Sequence, residues 1–353
     1  MCSDRSRLAA GVALALALVA ACGKQGDPQP RPRNIPQPAN NLELRLRGDR
    51  VLVSFAYPAA TVAGLPLDGL ESATVYEVVQ PLAAGAAPPA LAAADLDVAA
   101  RPVLELAGRD LADAVVGGRI LAEVALPAGA VGAAEARVYA ARTKALRGEL
   151  SPWSNAVALH PIAAPAAPAD LEVEARKDGV ALRWTPVAGG LGSVVLRREA
   201  VEPRWSPPLA TLRPETGEFL DRGALYGSRY VYTVLTLGAV SPPVESAPRV
   251  EREVDHRDIF APESPSGLRG LVAGGRVRLI WDASPDIDVA GYVVERSADG
   301  GEYARLTSAP LAGLEYADAA PPAGAARLAY RVVAVDRAGN AAPPTSPVEL
   351  DAP

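Results

Sequence analysis

Beyond residue 40, apolar and polar residues alternate along most of the chain. Val180, Leu182 and Trp184 fall on one side of a run whose intervening Arg183 falls on the other. Val277, Leu279 and Trp281 repeat this around Arg278. A repeat of two residues is the period of a half-buried β-strand, because successive side chains point to opposite faces. Tyr232, Val234 and Thr236 match Tyr330, Val332 and Ala334 in the same way. Turn signals close the runs: Asp178-Gly179, Gly274-Gly275, Asp299-Gly300-Gly301 and Ala338-Gly339-Asn340. Over residues 165–353 no helical period lasts beyond a turn or two. The pattern predicts an all-β chain.

The runs themselves recur. Pro168, Leu171, Trp184, Phe219 and Asp221 return as Pro265, Leu268, Trp281, Tyr316 and Asp318, each 97 residues on, and Tyr232 returns as Tyr330 after 98. Like-for-like residues at one lag identify an internal repeat. A third copy is fainter. Leu42 precedes Phe55 by 13 residues, the interval from Leu171 to Trp184 and from Leu268 to Trp281, and Val51, Val53 and Phe55 alternate as the Trp strands do. Phe55 stands 129 residues before Trp184, so this first copy is longer by about 32. The surplus is expected within the alanine-rich residues 80–134, with a short helix over 104–116.

These residues carry a resemblance to the fibronectin type III domain. A Pro-x-x-Leu opening precedes a strand ending in a buried Trp. A Tyr-x-Val core strand follows, and Ser241-Pro242 and Ser346-Pro347 stand where a final strand begins. The run Ser151-Pro152-Trp153-Ser154-Asn155-Ala156-Val157 resembles that final strand in the first copy. The resemblance implies tandem immunoglobulin-like β-sandwiches over 41–162 (with the insertion), 165–252 and 262–353. It also implies a tyrosine corner, in which a tyrosine hydroxyl bonds to upstream backbone. Tyr230 holds that position in the second module, whereas Leu328 holds it in the third, where the corner should be missing. Proline-bearing linkers at 160–169 and 251–266 are short, which favours a semi-rigid array.

The chain begins differently. Arg5 and Arg7 precede an unbroken apolar stretch over residues 8–21, too short to span a bilayer comfortably. It closes as Leu18-Val19-Ala20-Ala21-Cys22, which resembles a bacterial lipoprotein signal peptide with its lipobox. That resemblance implies removal of residues 1–21, acylation of Cys22 with palmitate among the chains, and anchoring in a cell-envelope membrane. Gly23 stands where an inner-membrane retention signal places Asp, which points to the outer membrane. The alternative is an ordinary cleaved signal with an incidental cysteine. Residues 22–40 carry Pro28, Pro30, Pro32, Pro36 and Pro38 and read as an extended spacer. The chain's two cysteines, Cys2 and Cys22, are then both accounted for, and no disulfide is expected.

Composition narrows the function. The formal net charge is −6, which gives no footprint for nucleic acid. The two histidines, His160 and His256, fall in the expected linkers, and no Gly-x-Ser-x-Gly occurs. No phosphate-cradling loop or Cys/His cluster is present, so no enzyme, cofactor or nucleic-acid partner is expected. Asp282, Asp286 and Asp288 form an acidic loop that is either a weak calcium candidate or an ordinary turn fixed by Pro285. Arg47-Gly48-Asp49 spells an adhesion tripeptide but sits in a strand-to-strand turn. Trp205, amid Pro203, Pro207 and Pro208, is a candidate ligand contact or a cover over the open end of a core; Trp153 is expected to pack.

Three function classes remain. The first is a non-enzymatic, lipid-anchored envelope protein that binds, spaces or scaffolds an envelope protein partner. The second is a carbohydrate-binding accessory protein for cell-wall or extracellular polysaccharide, which needs Trp205, Tyr57 or Tyr226 exposed on one face. The third hides an enzyme in the insertion and needs a pocket lined by Asp95, Asp97, Glu105, Asp110 and Asp113.

Overall fold

A computed structural model describes residues 33–353 apart from 84, 85 and 87–89. The segment expected to be a signal peptide, Cys22 and the first part of the expected proline-rich spacer therefore lie outside the described residues. The chain divides into two compact units. One is the described chain up to Ala164 together with Ala239–Val244; the other is Pro165–Gly238 with Glu245–Pro353. Each is built of antiparallel sheets packed face to face, an immunoglobulin-like all-β architecture. Among the described residues no helix is long and apolar enough to cross a membrane.

In the first unit, β1 (Glu43–Arg47), β2 (Arg50–Ala56), β5 (Val115–Val116) and β6 (Arg119–Ala125) pair in the order β1-β2-β6-β5. The turn between β1 and β2 is Gly48-Asp49, with Gly48 at φ 59°, so the adhesion tripeptide serves as a hairpin turn. The facing sheet is β4-β3-β7-β8, from β3 (Leu70–Pro81), β4 (Arg101–Ala107), β7 (Glu135–Ala145) and β8 (Val157–Leu159). Leu46, Val51, Val53, Phe55 and Ile120 from one sheet meet Val75, Tyr139, Ala141 and Leu159 from the other, all essentially buried. Fully burying each large apolar side chain contributes about 1.5–3 kcal/mol.

The insertion holds two short helices, α1 (Ala93–Ala99) and α2 (Gly108–Ala114). The helix expected over 104–116 is therefore half wrong. Its first part is β4, where Leu104 and Leu106 turn toward the core while Glu105 points out. Gly108 then takes φ 54°, and helix follows.

In the second unit, β9 (Glu172–Arg176), β10 (Gly179–Arg183) and β13 (Glu218–Asp221) form one sheet. It faces β12-β11-β14-β16, built of β11 (Gly192–Glu199), β12 (Ala210–Leu212), β14 (Ser228–Val240) and β16 (Glu251–His256). The short β15 (Pro243–Glu245) lies between β14 and β16 in the chain. Leu171, Val180, Leu182, Trp184 and Tyr232 fill the space between the sheets. Glu251–His256 belongs to this sandwich and is not the linker read from the sequence. Val254 packs against the core and His256 is 2% exposed. The charged Glu-Arg-Glu-x-Asp run disguised an outer strand.

The same unit continues with a second sheet pair. β17 (Ser266–Ala273), β18 (Arg276–Asp282) and β21 (Glu315–Asp318) oppose the sheet β20-β19-β22-β23, from β19 (Val289–Ala298), β20 (Ala304–Arg305), β22 (Arg327–Asp336) and β23 (Val348–Asp351). Val277, Leu279, Trp281, Leu328, Tyr330 and Val332 form its core. β17 and β18 join through Gly274 and Gly275 at φ 59° and 75°, a two-residue turn that needs positive φ at both positions.

Candidate functional site

Each sandwich buries an ion cluster around a tyrosine with no exposed surface. In the second module, Tyr232 on β14 donates its hydroxyl to Asp221 Oδ2 at 2.8 Å, and Arg197 Nη1 on β11 donates to the same oxygen at 2.7 Å. The other oxygen accepts from the Gly223 backbone N–H at 2.9 Å. The third module repeats this with Tyr330, Arg296 and Asp318 at 2.8 and 2.6 Å, and the Ala320 N–H at 3.2 Å. Burial pushes the Tyr232 and Tyr330 phenols far above their ordinary range, helped by the carboxylate that each faces. A buried carboxylate survives only when its oxygens are satisfied, and here three donors converge on each.

The first module makes the same cluster with the charges exchanged. Tyr139 Oη donates to Glu77 Oε1 at 2.6 Å and Arg137 Nη1 donates to Glu77 Oε2 at 2.9 Å. Strand register fixes the correspondence, since Glu77 pairs with Tyr139 as Arg197 pairs with Tyr232 and Arg296 with Tyr330. Glu77 thus stands where the other modules carry arginine, and Arg137 stands where they carry Tyr230 and Leu328. Burial raises the Tyr139 phenol strongly as well. Sequence reasoning saw Asp221/Asp318 and Tyr232/Tyr330 recur without connecting them. The missing signal was Arg197 recurring as Arg296, 99 residues on.

Two details separate the second and third modules. The Tyr230 hydroxyl accepts from the Leu225 N–H at 3.2 Å, the upstream backbone bond of a tyrosine corner. At Leu328, 1% exposed, there is no hydroxyl to make it. Trp184 Nε1 donates to Ser193 Oγ at 3.1 Å, whereas Trp281 Nε1 is buried without a partner. Four residues before Arg197 lies Ser193; four before Arg296 lies Tyr292, whose ring meets Trp281 edge-on at 5.7 Å.

The second unit also holds a polar seam between its two sheet pairs. Lys177 Nζ donates to Asp286 Oδ2 at 2.5 Å, and the same oxygen accepts from the Glu263 N–H at 2.6 Å. The lysine contact, then the backbone bond, hold the Asp286 carboxyl below its usual range; Asp286 in turn raises the Lys177 ammonium. Tyr226 stacks on His256 at 4.6 Å and lies 6.5 Å from Phe260. His256 Nε2 contacts the Arg176 carbonyl at 3.1 Å, which requires the proton on that nitrogen. The other histidine, His160, has Nδ1 3.1 Å from the Glu135 carbonyl.

The candidate calcium loop does not converge. Asp286 is engaged by Lys177, Asp282 is exposed on β18, and Asp288 groups instead with Asp258 and Asp336, their oxygens within 4.8 Å. Both Asp336 oxygens already accept from Asn340, at 2.8 Å each. Calcium takes six to eight oxygens.

The aromatic candidates have partners of their own. Trp205 packs on Val194, Leu196, Leu235 and Leu237, on the outer face of the β11-β14 pair, and the Arg198 guanidinium lies 5.2 Å above its ring. Tyr226 donates to the Lys177 carbonyl at 2.8 Å, and Tyr57 accepts from the Leu70 N–H at 3.2 Å. Trp153 meets the Tyr76 ring at 4.8 Å and donates to Asp97 on α1 at 2.7 Å. Leu96 of α1 is buried with Val78, Val138 and Ala140, so the insertion straps the outer face of the β3-β7 sheet. Asp95 reaches back to the Ala92 N–H at 2.9 Å as a helix cap, and Asp113 faces Arg109 at 3.7 Å. The insertion's Asp95 and Asp97 thus serve helix and strap.

No protein-family model and no curated protein matches the chain. Among solved structures, it is similar to the chicken CNTN1 FN1–FN3 domains at 14% identity and a TM-score of 0.26, with 90% of this chain and 99% of that one covered. It is also similar to a two-domain fibronectin type III segment from chicken tenascin, at 17% identity and a TM-score of 0.37, with 53% and 99% covered.

Proposed function

We propose that this chain is a non-enzymatic, lipid-anchored spacer of a bacterial cell envelope that holds a protein partner near the outer membrane. One observation carries the reading: buried charge in every module goes into bracing strands against one another. Glu77, Asp221 and Asp318 each tie together residues from two or three different strands. A carboxylate saturated in this way neither moves protons nor binds substrate; it stiffens a sandwich. The seam through Lys177 and Asp286 supports the same role by limiting motion between successive modules. Cys22, at the end of the apolar stretch, supplies the anchor, and the proline-rich residues after it supply reach.

The partner attaches to sheet edges, where unpaired backbone groups accept an added strand. In-cell cross-linking of the tagged full-length chain beside a Cys22→Ser version tests the proposal. Envelope proteins recovered only with the anchored form are the expected result. Recovery of wall or capsular glycan with no protein, or identical recoveries from both forms, counts against it.

A further inference from the structure

One end of the first module, where the described chain enters it, carries apolar side chains that the core does not take in. Three segments are tied together there. The Val62 N–H donates to the Ile35 carbonyl at 2.9 Å, the Asn34 side-chain amide donates to the Leu146 carbonyl at 3.0 Å, and the Leu146 N–H donates to the Gly69 carbonyl at 3.1 Å. Thr61, itself buried, fixes the middle segment. Its N–H donates to the Leu65 carbonyl at 2.8 Å, and its hydroxyl accepts from the Leu65 N–H at 3.2 Å. On this frame Val62, Leu65, Leu146 and Leu150 stand 40–49% exposed. The β5–β6 turn reaches the same end through the Tyr57 N–H, which donates to the Gly118 carbonyl at 2.9 Å, and adds Val116 at 44%. Exposed aliphatic residues scattered singly need no explanation, but five on adjoining loops held by backbone bonds do.

Charge does not select the occupant. Within residues 33–37, 60–71 and 144–150, Arg33 faces Glu149 at 3.7 Å, Lys144 donates to Glu71 at 2.7 Å, and Arg147 and Asp68 offset each other. Beside the β5–β6 turn, α2 adds Asp110 and the pair Arg109–Asp113. The tip is thus close to neutral, and its exposed large apolar side chains are all aliphatic. Protein interfaces are anchored by Trp, Tyr and Arg, with Leu and Val under-represented. The boundary between lipid headgroups and acyl chains asks only for apolar area.

The length of chain before the tip names the lipid. Cys22 and Arg33 are eleven residue steps apart, a reach of at most about 40 Å. We infer that this end of the first module, with Val62, Leu65, Val116, Leu146 and Leu150 foremost, docks on the membrane surface that holds Cys22. The inference rests on the proposed anchor at Cys22. A tether of that length turns docking into an intramolecular step, so a contact too weak to recruit a free protein still holds the tip down.

The test uses residues 22–353, which keep every described residue, with Cys22 coupled to a maleimide phospholipid in phosphatidylcholine vesicles. Coupling supplies the tether whether or not the cell acylates Cys22, so failure here is distinct from failure of the anchor, which the Cys22→Ser comparison reads. p-Benzoylphenylalanine replaces Leu65 in one sample and Ala128 in another. Ala128 lies just beyond Ala125, which pairs with Arg50 at the end of β2 away from the tip. On illumination, position 65 should yield phospholipid adducts at least tenfold more often than position 128. Val62→Asp with Leu146→Asp should lower the yield at position 65 at least tenfold and leave the β-sheet circular dichroism intact, because tenfold is less than burial of one large apolar side chain supplies. Equal yields at the two positions overturn the inference, as does a yield that the two aspartates leave unchanged. Adducts to a second copy of the chain in place of lipid overturn it in favour of self-association. Adducts that form only once phosphatidylglycerol is added overturn it in favour of headgroup charge.

Discussion

Removing Asp318 tests how much the third module depends on its buried cluster. In Asp318→Ala, Arg296 keeps a side chain only 19% exposed, with the Ala320 carbonyl at 3.3 Å as its remaining acceptor, and Tyr330 stays wholly buried, both without the carboxylate they share. The Ala320 N–H loses its partner too. Breaking a buried pair from one side costs about 3–5 kcal/mol, because the remaining charge stays desolvated. At a urea slope of about 1.3 kcal/mol per molar for a module this size, the midpoint falls by roughly 2–4 M. Replacing the whole cluster with apolar residues, as Asp318→Leu, Arg296→Met and Tyr330→Phe together, should stay within about 2 kcal/mol of wild type, since no charge is stranded. Hydrogen exchange of β22 peptides across a urea series reads the third module, with β14 peptides as reference. A single-variant loss below about 1 kcal/mol, the range of exposed pairs, would refute the reasoning. So would a triple variant as unstable as the single one.

Three further outcomes are expected. Trp184→Phe strands the Ser193 hydroxyl, whereas Trp281→Phe removes an N–H that has no partner, so the second should cost about 1 kcal/mol less than the first in thermal unfolding; equal costs would contradict the assignment. The buried phenols Tyr139, Tyr232 and Tyr330 have folded pKa values above the unfolded value near 10, so their contribution is complete below about pH 10 and is lost as pH rises through the folded values. Absorbance at 295 nm should rise in two stages, the second coinciding with loss of β-sheet circular dichroism, and a single stage with the sheet intact would rule this out. Asp97→Ala should speed hydrogen exchange in Ala93–Ala99 severalfold and leave β7 unchanged, at a cost of about 1 kcal/mol; unchanged exchange in α1 would mean that Leu96 alone holds the strap.

The sandwich cores were legible because alternation is a direct record of which face is buried. Val180, Leu182 and Trp184 say so without any structure. The ion clusters were not, because Arg137, Arg197 and Arg296 occupy strand positions where a charge ordinarily marks the solvent side. Only the pairing of strands shows that each meets a carboxylate. The insertion was located by length alone. Its strapping role depends on Leu96 and Trp153 meeting 57 residues apart, a separation no local pattern encodes. β16 was hidden by composition, for an outer strand can carry Glu251, Glu253 and Asp255 outward while only Val254 and His256 are drawn in.

The exchanged polarity of the first cluster bears on how three similar modules emerge from the ribosome without mixing. Tandem sandwiches misassemble when a strand from one takes the equivalent place in its neighbour. If β11 of the second module displaced β3 of the first, Arg197 would arrive where Glu77 belongs and be buried against Arg137. If β3 displaced β11, Glu77 would face Asp221. Either hybrid traps two like charges in an apolar interior, so the first module rejects foreign strands by charge even though its hydrophobic pattern would accept them.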